Sequence, residues 1–448
     1  MPSDGQLKPS RYNLLVDLAS GRKLAFNGAT AALAEIDEET IPRFLRLLKS
    51  PHRAENSTEV ELVEQMKYAR FLCPAEHDEV AELQSRDRQQ RQSKSTFFLT
   101  IAPTLACNFR CDYCFQRSNG LVMDDRVVEA LIAFSKERLP SSERFMITWF
   151  GGEPTLCMPT VEKLQGRLAE MSQQFGVKEL TSTMITNGYL LNGTLARRLQ
   201  DCGINEAQIT LDGPKEVHDR RRMMSGGRGT FERILANIEE SCRIIRIIVR
   251  INVDSENSSA PLEVVDILQQ RGLLQHVNIY FAPVNPSQGV CADVSGRCLS
   301  TEAFAHLQVK LYEELVRRGV YRIEYPQVAP GGYCGAGNDH SFVVAPNGLL
   351  FKCWEELSIE PDDAIGDVFG GVRNQRQQRN LDRYRLFDPF SKLECRECAI
   401  LPLCLGGCPK AATSESNDER GFCSPWKYNL GEMLTLRYKC NTHEEVRG

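Results

Sequence analysis

The sequence lacks three features that would each place the chain in a particular class of protein. It has no run of about 18 apolar residues, the length that a membrane-spanning helix needs. It has no excess of positive charge, since 54 Lys and Arg residues stand against 59 Asp and Glu residues, and a general nucleic-acid binder carries a basic surface. Its first residues (MPSDG) show no charged segment followed by an apolar core, so no signal peptide is predicted. We therefore expect a cytoplasmic protein with no membrane span and no nucleic-acid partner.

Cysteine, by contrast, is abundant, with 17 residues in a chain of 448. Cytoplasmic thiols are kept reduced, and an odd number of cysteines fits poorly with a framework of disulfides. Ten of the 17 fall into two spaced sets, which metal ligation explains. The other seven are scattered and are interpreted as small buried apolar residues: Cys73, Cys157, Cys202, Cys242, Cys291, Cys298 and Cys440.

The first segment, residues 1–93, has the pattern of a small α/β domain. Short apolar runs at 12–17 and 23–26 flank Ser20-Gly21 and predict a hairpin. Apolar residues at three- and four-residue spacing predict helices over 30–48 and 58–71. The nearly all-polar stretch 85–94 is interpreted as a linker. A winged-helix-like domain is predicted, and a capping extension of the next domain is the alternative.

The second segment, residues 94–320, alternates strand and helix patterns. Six βα units in succession predict a parallel sheet with helices outside it. Six units rather than eight favour a partial (β/α)6 barrel, and a doubly wound sheet is the alternative. In either architecture the chemistry belongs at the carboxyl ends of the strands. The predicted strands are 97–101, 146–150, 183–186, 208–211, 247–253 and 277–281, and the predicted helices between them are 126–139, 161–175, 194–202, 231–242 and 261–271.

The third segment, residues 321–448, is rich in Gly, Pro and Cys and has few long periodic runs. Such a stretch buries too little apolar surface to be stable alone, so bound metal is expected to stabilise it.

The first cysteine set is Cys107, Cys111 and Cys114, spaced CxxxCxxC. Three thiolates on one compact loop bind three irons of a [4Fe–4S] cubane and leave the fourth iron without a protein ligand. Clusters that only transfer electrons use four cysteines, and an open coordination position is typical of catalytic metal sites. A zinc site is disfavoured because no His or fourth Cys lies nearby in the sequence.

This spacing, with the aromatic Tyr113 before the last cysteine, resembles the signature of radical S-adenosylmethionine (SAM) enzymes. The resemblance spans roughly residues 96–300. It implies that SAM binds the open iron and is reductively cleaved to methionine and a 5′-deoxyadenosyl radical, which abstracts hydrogen from a substrate.

Further motifs of that family follow in order. Gly151-Gly152-Glu153-Pro154 resembles the GGEP motif that binds the SAM amino group; glycines permit close backbone approach, and Glu153 is expected to accept a hydrogen bond from the ammonium. Segments 186–188 and 210–214 resemble those that approach the SAM ribose and carboxylate, which implicates Asn187, Thr210 and Asp212. Among the arginines of 218–222, Arg222 is our choice for the SAM carboxylate. A solvated basic turn is the alternative for any one of these arginines.

The second cysteine set reads Cx13Gx4C, a gap, CxxCx5CxxxC, a gap, then C, with Gly348 as the internal glycine. This resembles the SPASM domain, which carries two auxiliary [4Fe–4S] clusters, so three clusters are expected in all. The resemblance assigns Cys395, Cys398, Cys404 and Cys423 to a distal cluster, and Cys334, Cys353 and Cys408 to a nearer one. A zinc ribbon over 395–408 is the alternative.

The nearer cluster is one cysteine short by this count. Either its fourth iron is open, or an upstream cysteine completes the set; Cys291 and Cys298 are the two possibilities. The sequence does not decide between them.

Radical SAM enzymes with SPASM domains mostly act on peptides or proteins. Here the first segment resembles the precursor-recognition domain of enzymes that mature ribosomally made peptides, where a leader peptide adds as a strand to a sheet edge. These resemblances imply a peptide maturase that installs an intramolecular carbon–carbon or thioether crosslink. Its partners would be a precursor peptide and a flavodoxin- or ferredoxin-type electron donor.

Two alternatives are weighed against this function. Anaerobic sulfatase maturases, which oxidise Cys or Ser to formylglycine, resemble the chain from the triad onward. They place an aspartate base directly after the cysteine corresponding to Cys353, however, whereas this chain has Trp354. Glu355 is a weak candidate for the base, and a solvated surface carboxylate is the favoured interpretation. A non-catalytic iron–sulfur scaffold or electron carrier leaves Gly151 to Pro154 and the open-site triad unexplained.

Overall fold

A computed structural model describes residues 6–116, 118–284, 296–328, 334–413 and 423–445. The strands are β1 (Leu7–Pro9), β2 (Asn13–Asp17), β3 (Lys23–Asn27), β4 (Ala32–Ile36), β5 (Leu72–Pro74), β6 (Thr96–Ile101), β7 (Phe109–Cys111), β8 (Arg144–Trp149), β9 (Glu179–Thr186), β10 (Glu206–Thr210), β11 (Arg222–Met224), β12 (Arg246–Val253), β13 (Val277–Pro283), β14 (Ser341–Val344), β15 (Leu349–Phe351) and β16 (Gly366–Asp367).

The α-helices are α1 (Thr40–Lys49), α2 (Ser57–Tyr68), α3 (Glu79–Gln92), α4 (Asp125–Lys136), α5 (Met158–Gln174), α6 (Gly193–Asp201), α7 (Lys215–Arg221), α8 (Phe231–Ser241), α9 (Ala260–Gln270), α10 (Thr301–Arg317), α11 (Gln375–Arg385), α12 (Leu393–Arg396), α13 (Leu401–Cys404), α14 (Pro409–Ala412) and α15 (Trp426–Glu445). Among the described residues, none of these helices is both long and apolar enough to cross a membrane.

The main sheet confirms the predicted α/β class and its six parallel strands. From β6 through β8, β9, β10 and β12 to β13, each strand pairs in parallel with the next strand of the set in chain order. This order never reverses, as it would in a doubly wound sheet, so it matches the wall of a partial barrel. Alternate residues of β12 are fully buried, as in a sheet covered by helices.

The sheet also has an extension that the sequence did not predict. Strand β14 pairs in parallel with β6 at the edge away from β13, and β15 and β16 continue the sheet with antiparallel pairing. Residues of the third segment therefore add three strands to the barrel wall.

Two compact units emerge from the distribution of contacts. One comprises residues 1–91, 324–334 and 388–448, and the other 92–323 and 335–387. The predicted three-domain division, with boundaries near 93 and 320, stays a prediction. The first unit joins the N-terminal segment to the last 61 residues of the chain, and the second contains the whole nine-stranded sheet.

The first unit confirms the predicted hairpin and corrects two neighbouring predictions. Strands β2, β3 and β4 form an antiparallel sheet beside helices α1 to α3. The predicted helix over 30–48 is wrong in its first part, because 32–36 is the strand β4. The predicted linker over 85–94 is wrong as well, because helix α3 runs to Gln92. That polar helix is anchored by the buried Leu83 and by the Arg91–Asp87 ion pair of 2.7 Å.

Candidate active site

The first cysteine set lies on a loop that follows β6. Cys111 ends the short strand β7, where it pairs with Arg222 of β11. Two backbone hydrogen bonds continue this contact, from Asp112 N–H to the Arg221 carbonyl (3.1 Å) and from Ser225 N–H to the Asn108 carbonyl (2.9 Å). The loop is therefore held against the segment that follows β10, although the two are more than 100 residues apart in sequence.

Two thiols of this loop, those of Cys107 and Cys111, have raised pKa values. Burial raises the pKa of Cys107 to about 11, and the charges of Glu153 and Cys114 add to it. Burial likewise raises the pKa of Cys111 to about 12, with contributions from Cys114 and Cys107. Iron binds thiolates, so cluster assembly on this loop must release protons. Among the described residues no three His, Cys, Asp or Glu side chains are placed to hold a single metal ion. In a cluster each cysteine binds a different iron, so this observation leaves the cluster assignment unchanged.

A cavity of about 190 Å³ opens beside the three cysteines. Five of the residues predicted to bind SAM line it: Gly151, Gly152, Asn187, Thr210 and Arg222. Tyr113 and Thr186, which belong to the motifs discussed above, line it as well. The sequence did not single out Phe109, Phe115, Gln116, Phe150, Ile185, Gln208, Arg250, Asn252, Pro283 and Val284. The cavity therefore has both the thiols for a cluster and a polar wall for SAM.

The glycines of the second motif bring two loops into close contact. Gly151 has φ +120°, a conformation that disfavours any side chain. A Cβ atom on Gly152 would overlap the carbonyl oxygen of Ala106, the residue before the first cluster cysteine. Glycine is thus required for this loop to approach the cluster loop.

Glu153 and Pro154 do not line the cavity. The Glu153 carboxylate is fully buried and accepts hydrogen bonds from the hydroxyls of Thr155 and Thr186 (both 2.6 Å) and from the Asn187 N–H (2.7 Å). Burial raises its pKa. In the structure this carboxylate ties together the segments that follow β8 and β9, and its predicted contact with the SAM ammonium stays a prediction.

Arg222 lines the cavity, but its guanidinium already has a partner. Its Nη1 donates to the Tyr113 hydroxyl (2.5 Å), which in turn donates to Oδ2 of Asp212 (2.5 Å). Asp212 itself is fully buried and lies outside the cavity lining. Tyr113 thus links the cluster loop to the segment after β10, and burial raises its pKa well above its ordinary value. The predicted SAM contacts of Arg222 and Asp212 stay predictions.

Glu355 corrects a sequence interpretation. Instead of a solvated surface carboxylate, it is a half-buried side chain that lines the cavity. It lies on a 3₁₀ turn, Trp354–Glu356, that directly follows Cys353. The next residue, Glu356, accepts a hydrogen bond from the Tyr384 hydroxyl (2.6 Å) and pairs with Arg383, which fixes the turn.

Phe115 and Phe150 line the same cavity, and Trp354 packs on Phe150. The rings of Trp354 and Phe150 lie 5.6 Å apart, and those of Phe150 and Phe115 lie 6.5 Å apart. Each of the three stands next to a predicted motif, Phe115 after Cys114, Phe150 before Gly151 and Trp354 after Cys353. That adjacency was the signal available in the sequence.

The distal cysteines form a coupled group in the first unit. Burial raises the pKa of Cys404 to about 12, and the charges of Cys398, Cys395 and Cys423 add to the shift. Such coupling requires the four thiols to lie close together, which fits four ligands of one cluster.

The cysteines assigned to the nearer cluster belong to different units. Cys334 and Cys408 lie in the first unit and Cys353 in the second, so their grouping stays a prediction. Of the two proposed fourth ligands, Cys298 packs with Val284, Tyr113 and Phe115. Cys291 lies outside the described residues.

Comparison with known proteins identifies the chemistry of this site. Residues 101–272 match the family model described as the Radical SAM superfamily. This range contains the cysteine triad, Gly151 to Pro154 and the segment 210–214. The chain therefore carries a radical SAM domain and is a radical SAM oxidoreductase that uses SAM and iron–sulfur chemistry, which confirms the resemblance drawn from the motifs.

Similar proteins extend the match beyond this domain. The serine-type anaerobic sulfatase-maturating enzyme of Bacteroides thetaiotaomicron is 22% identical over 372 residues, covering 72% of this chain and 84% of that protein. The structure of native anSMEcpe with bound AdoMet and Cp18Cys peptide matches 79% of this chain and 99% of its own, with a TM-score of 0.57 and 18% identity. Streptococcus suis SuiB bound to precursor peptide SuiA matches 96% of this chain and 100% of its own, with a TM-score of 0.51 and 14% identity. The two structural likenesses show a shared fold.

Proposed function

We propose that this chain is a radical SAM/SPASM peptide maturase that installs an intramolecular crosslink, carbon–carbon or thioether, in a ribosomally made precursor peptide. The observation that carries the proposal is the residue after Cys353. Sulfatase maturases have an aspartate base there, whereas here Trp354 packs on Phe150, which lines the cavity, and 41% of the Trp354 surface is exposed. An exposed aromatic surface at this place suits contact with a peptide side chain.

The cofactors proposed are SAM and three [4Fe–4S] clusters. Cys107, Cys111 and Cys114 hold the first, the four coupled thiols of the first unit hold the distal one, and Cys334, Cys353 and Cys408 belong to the nearer one. When bound, SAM and the first cluster supply a 5′-deoxyadenosyl radical that takes a hydrogen atom from the peptide. The chain's own residues orient these groups: the two glycines admit SAM closely, and Asn187 and Thr210 face it from adjacent strands.

The proposed crosslink removes two hydrogens from the peptide. One leaves as a hydrogen atom to the radical, and the other leaves as a proton when the new bond forms. One electron then remains, and an auxiliary cluster held by the second cysteine set would be its acceptor. Glu355 is the carboxylate of the cavity lining and is our proposed proton acceptor.

The first unit offers a place for the leader peptide. Strand β4 lies at the edge of its three-stranded sheet, and β2, at the other edge, contacts helix α15. Within the described residues β4 pairs only with β3, so a leader strand adding to β4 would bond through its backbone. SuiB, which matches over nearly the whole chain, was solved with a precursor peptide. The proposed electron donor is of flavodoxin or ferredoxin type.

Mass spectrometry tests the proposal. Peptides encoded by short reading frames beside the gene are incubated with the reconstituted enzyme, SAM and a reductant. A loss of two hydrogens per ring, with a fragmentation gap that marks the ring, is the expected product. Conversion of a Cys or Ser to an aldehyde instead would overturn the crosslinking proposal.

A sulfatase-maturase-like function is the second candidate, favoured by the alignment over 84% of a sulfatase-maturating enzyme. It predicts formylglycine in a peptide that carries a sulfatase-type Cys or Ser. The variant Trp354→Asp separates the two functions, because it restores the aspartate of that family. Formylglycine formed by the wild-type chain, without this substitution, favours the second candidate.

A further inference from the structure

Arg250 introduces a cationic side chain into the wall of the cavity. It lies in β12, where Ile247, Val249, Ile251 and Val253 are fully buried. Successive side chains of a strand point to opposite faces, so Arg250 and Asn252 share the other face, and both line the cavity. Arg250 pairs with Thr210 of β10, a residue that also lines it.

The guanidinium of Arg250 is oriented by the protein. Its Nε donates to Oδ1 of Asn252 (2.7 Å), and Nδ2 of Asn252 donates to the Tyr113 hydroxyl (3.1 Å). Its Cζ lies 5.9 Å from the ring centroid of Tyr280, whose hydroxyl donates to Gln208 (2.8 Å). A guanidinium held through Nε presents its two Nη groups as a fork for a planar acceptor.

Arg250 forms no ion pair within 4 Å among the described residues, although Glu355 lines the same cavity. Two arginines near the cluster loop do reach carboxylates: Arg221 pairs with Asp254 at 2.9 Å, and Arg222 reaches Asp212 through Tyr113. A half-buried charge without a partner is unfavourable, and a ligand carboxylate in a poorly solvated cavity relieves that cost.

We propose that Arg250 binds a side-chain carboxylate, of aspartate or glutamate, in the substrate peptide. This inference rests on the proposed peptide substrate and names a class of residue that the cavity selects. The carboxylate of SAM is a weaker match, because Arg222, which lines the same cavity, is the arginine predicted to bind it. Phe115 and Phe150 also line the cavity, so apolar contacts with these rings would accompany the ion pair between Arg250 and the substrate.

Binding of two capped tripeptides tests this site without a known precursor. The probes are N-acetyl-Gly-Glu-Gly-amide and its Gln counterpart, titrated calorimetrically into the reconstituted, SAM-loaded enzyme. The wild type is expected to prefer the Glu peptide about tenfold, as a bidentate charged pair allows. Arg250→Gln is expected to reduce this preference to about twofold or less and to leave the affinity for SAM within about twofold.

Arg246→Gln is the matched control. Arg246 begins the same strand, is exposed and pairs with Glu206, and it does not line the cavity. This variant should keep the wild-type preference. If Arg250→Gln does not fold, Arg250→Lys keeps the charge without the fork and should lower the preference severalfold.

Three results would overturn the proposal: no preference in the wild type, an unchanged preference in Arg250→Lys, or a tenfold loss of SAM affinity in Arg250→Gln with the Glu preference intact. The crosslinking proposal can be refuted independently of the carboxylate site. Precursor peptides that stay unmodified, while the Glu preference still depends on Arg250, would refute the crosslink and leave the carboxylate site standing.

Discussion

The hydroxyl of Tyr113 lies 2.5 Å from Oδ2 of Asp212, a residue 99 positions further along the chain. Tyr113 belongs to the cluster loop and Asp212 to the segment after β10, so this hydrogen bond joins these two segments. The Tyr113 hydroxyl also accepts hydrogen bonds from Arg222 and Asn252. One phenol therefore links four segments of the barrel.

Tyr113→Phe should weaken the cluster loop without removing a cysteine. The substitution leaves buried Asp212 and Arg222 without their shared partner, which costs about 1–3 kcal/mol of stability. We expect faster loss of iron from the SAM-binding cluster, measured by its EPR signal during exposure to a chelator. Tyr68→Phe is the control, since Tyr68 is 93% exposed. Equal rates of iron loss in the two variants would contradict this role.

Gly152→Ala should impair SAM cleavage. The added methyl group overlaps the Ala106 carbonyl, so the loop must withdraw from the cluster loop. We expect the rate of 5′-deoxyadenosine formation to fall at least tenfold, which corresponds to an increase of about 1.4 kcal/mol in the activation free energy. Gly166→Ala is the matched control, because Gly166 lies within helix α5 with no atom within 4 Å of an added Cβ. That variant should keep full activity and gain about 0.5–1 kcal/mol of stability.

Glu355→Gln should separate SAM cleavage from product formation. The amide keeps the size of the side chain and cannot accept the proton, so crosslinked peptide should fall about 100-fold. Formation of 5′-deoxyadenosine should stay near the wild-type level, because Glu355 is not a cluster ligand. Both products are quantified in one chromatographic run, with the exposed Glu360→Gln as control. Unchanged product formation would exclude Glu355 as the base.

Removal of one distal thiol tests the number of clusters. Cys404→Ala deletes a ligand of the coupled group in the first unit, and the proposed three clusters predict a fall from about 12 to about 8 iron atoms per chain. SAM cleavage should persist while crosslinking falls, because the spare electron loses one of its two proposed acceptors. Iron analysis gives the count, and Cys440→Ala, a buried cysteine outside both sets, is the control. An iron content unchanged by Cys404→Ala would contradict the distal assignment.

His340 should make the protein less stable in acid. Its ring lies 4.9 Å from Phe97, and burial, aided by the charge of Arg138, lowers its pKa from 6.5 to about 4. The contribution of neutral His340 to the free energy of unfolding is therefore present above pH 6.5 and is lost as the pH falls toward 4. Between pH 7 and 5 the loss is about 2 kcal/mol. Urea midpoints of His340→Leu should vary less with pH than those of the wild type and of the exposed control His276→Gln. A parallel pH dependence in all three would refute this role.

The hydrophobic pattern predicted most of the barrel because its strands and helices have clear local signals. All six predicted strands are present, and helices such as α8 begin and end within about one residue of their predicted bounds. The first unit was harder. Residues 32–36 have apolar side chains compatible with either period, and pairing with β3 makes them a strand. Polar residues 85–92 have little apolar signal, yet they are helical. They continue helix α3, in which Leu83 packs with Tyr12.

The cysteine spacing by itself determined the chemistry of this protein, because three thiolates on one short loop leave an iron open whatever surrounds them. Only the tertiary structure decided which polar groups face that iron. Arg250 lies in β12 and Glu355 on a turn about 100 residues later, and the fold brings both to the cavity beside the cluster loop. No local pattern in the sequence predicts that Arg250 and Glu355 line one cavity, because strand register and the path of the chain between strands determine their positions.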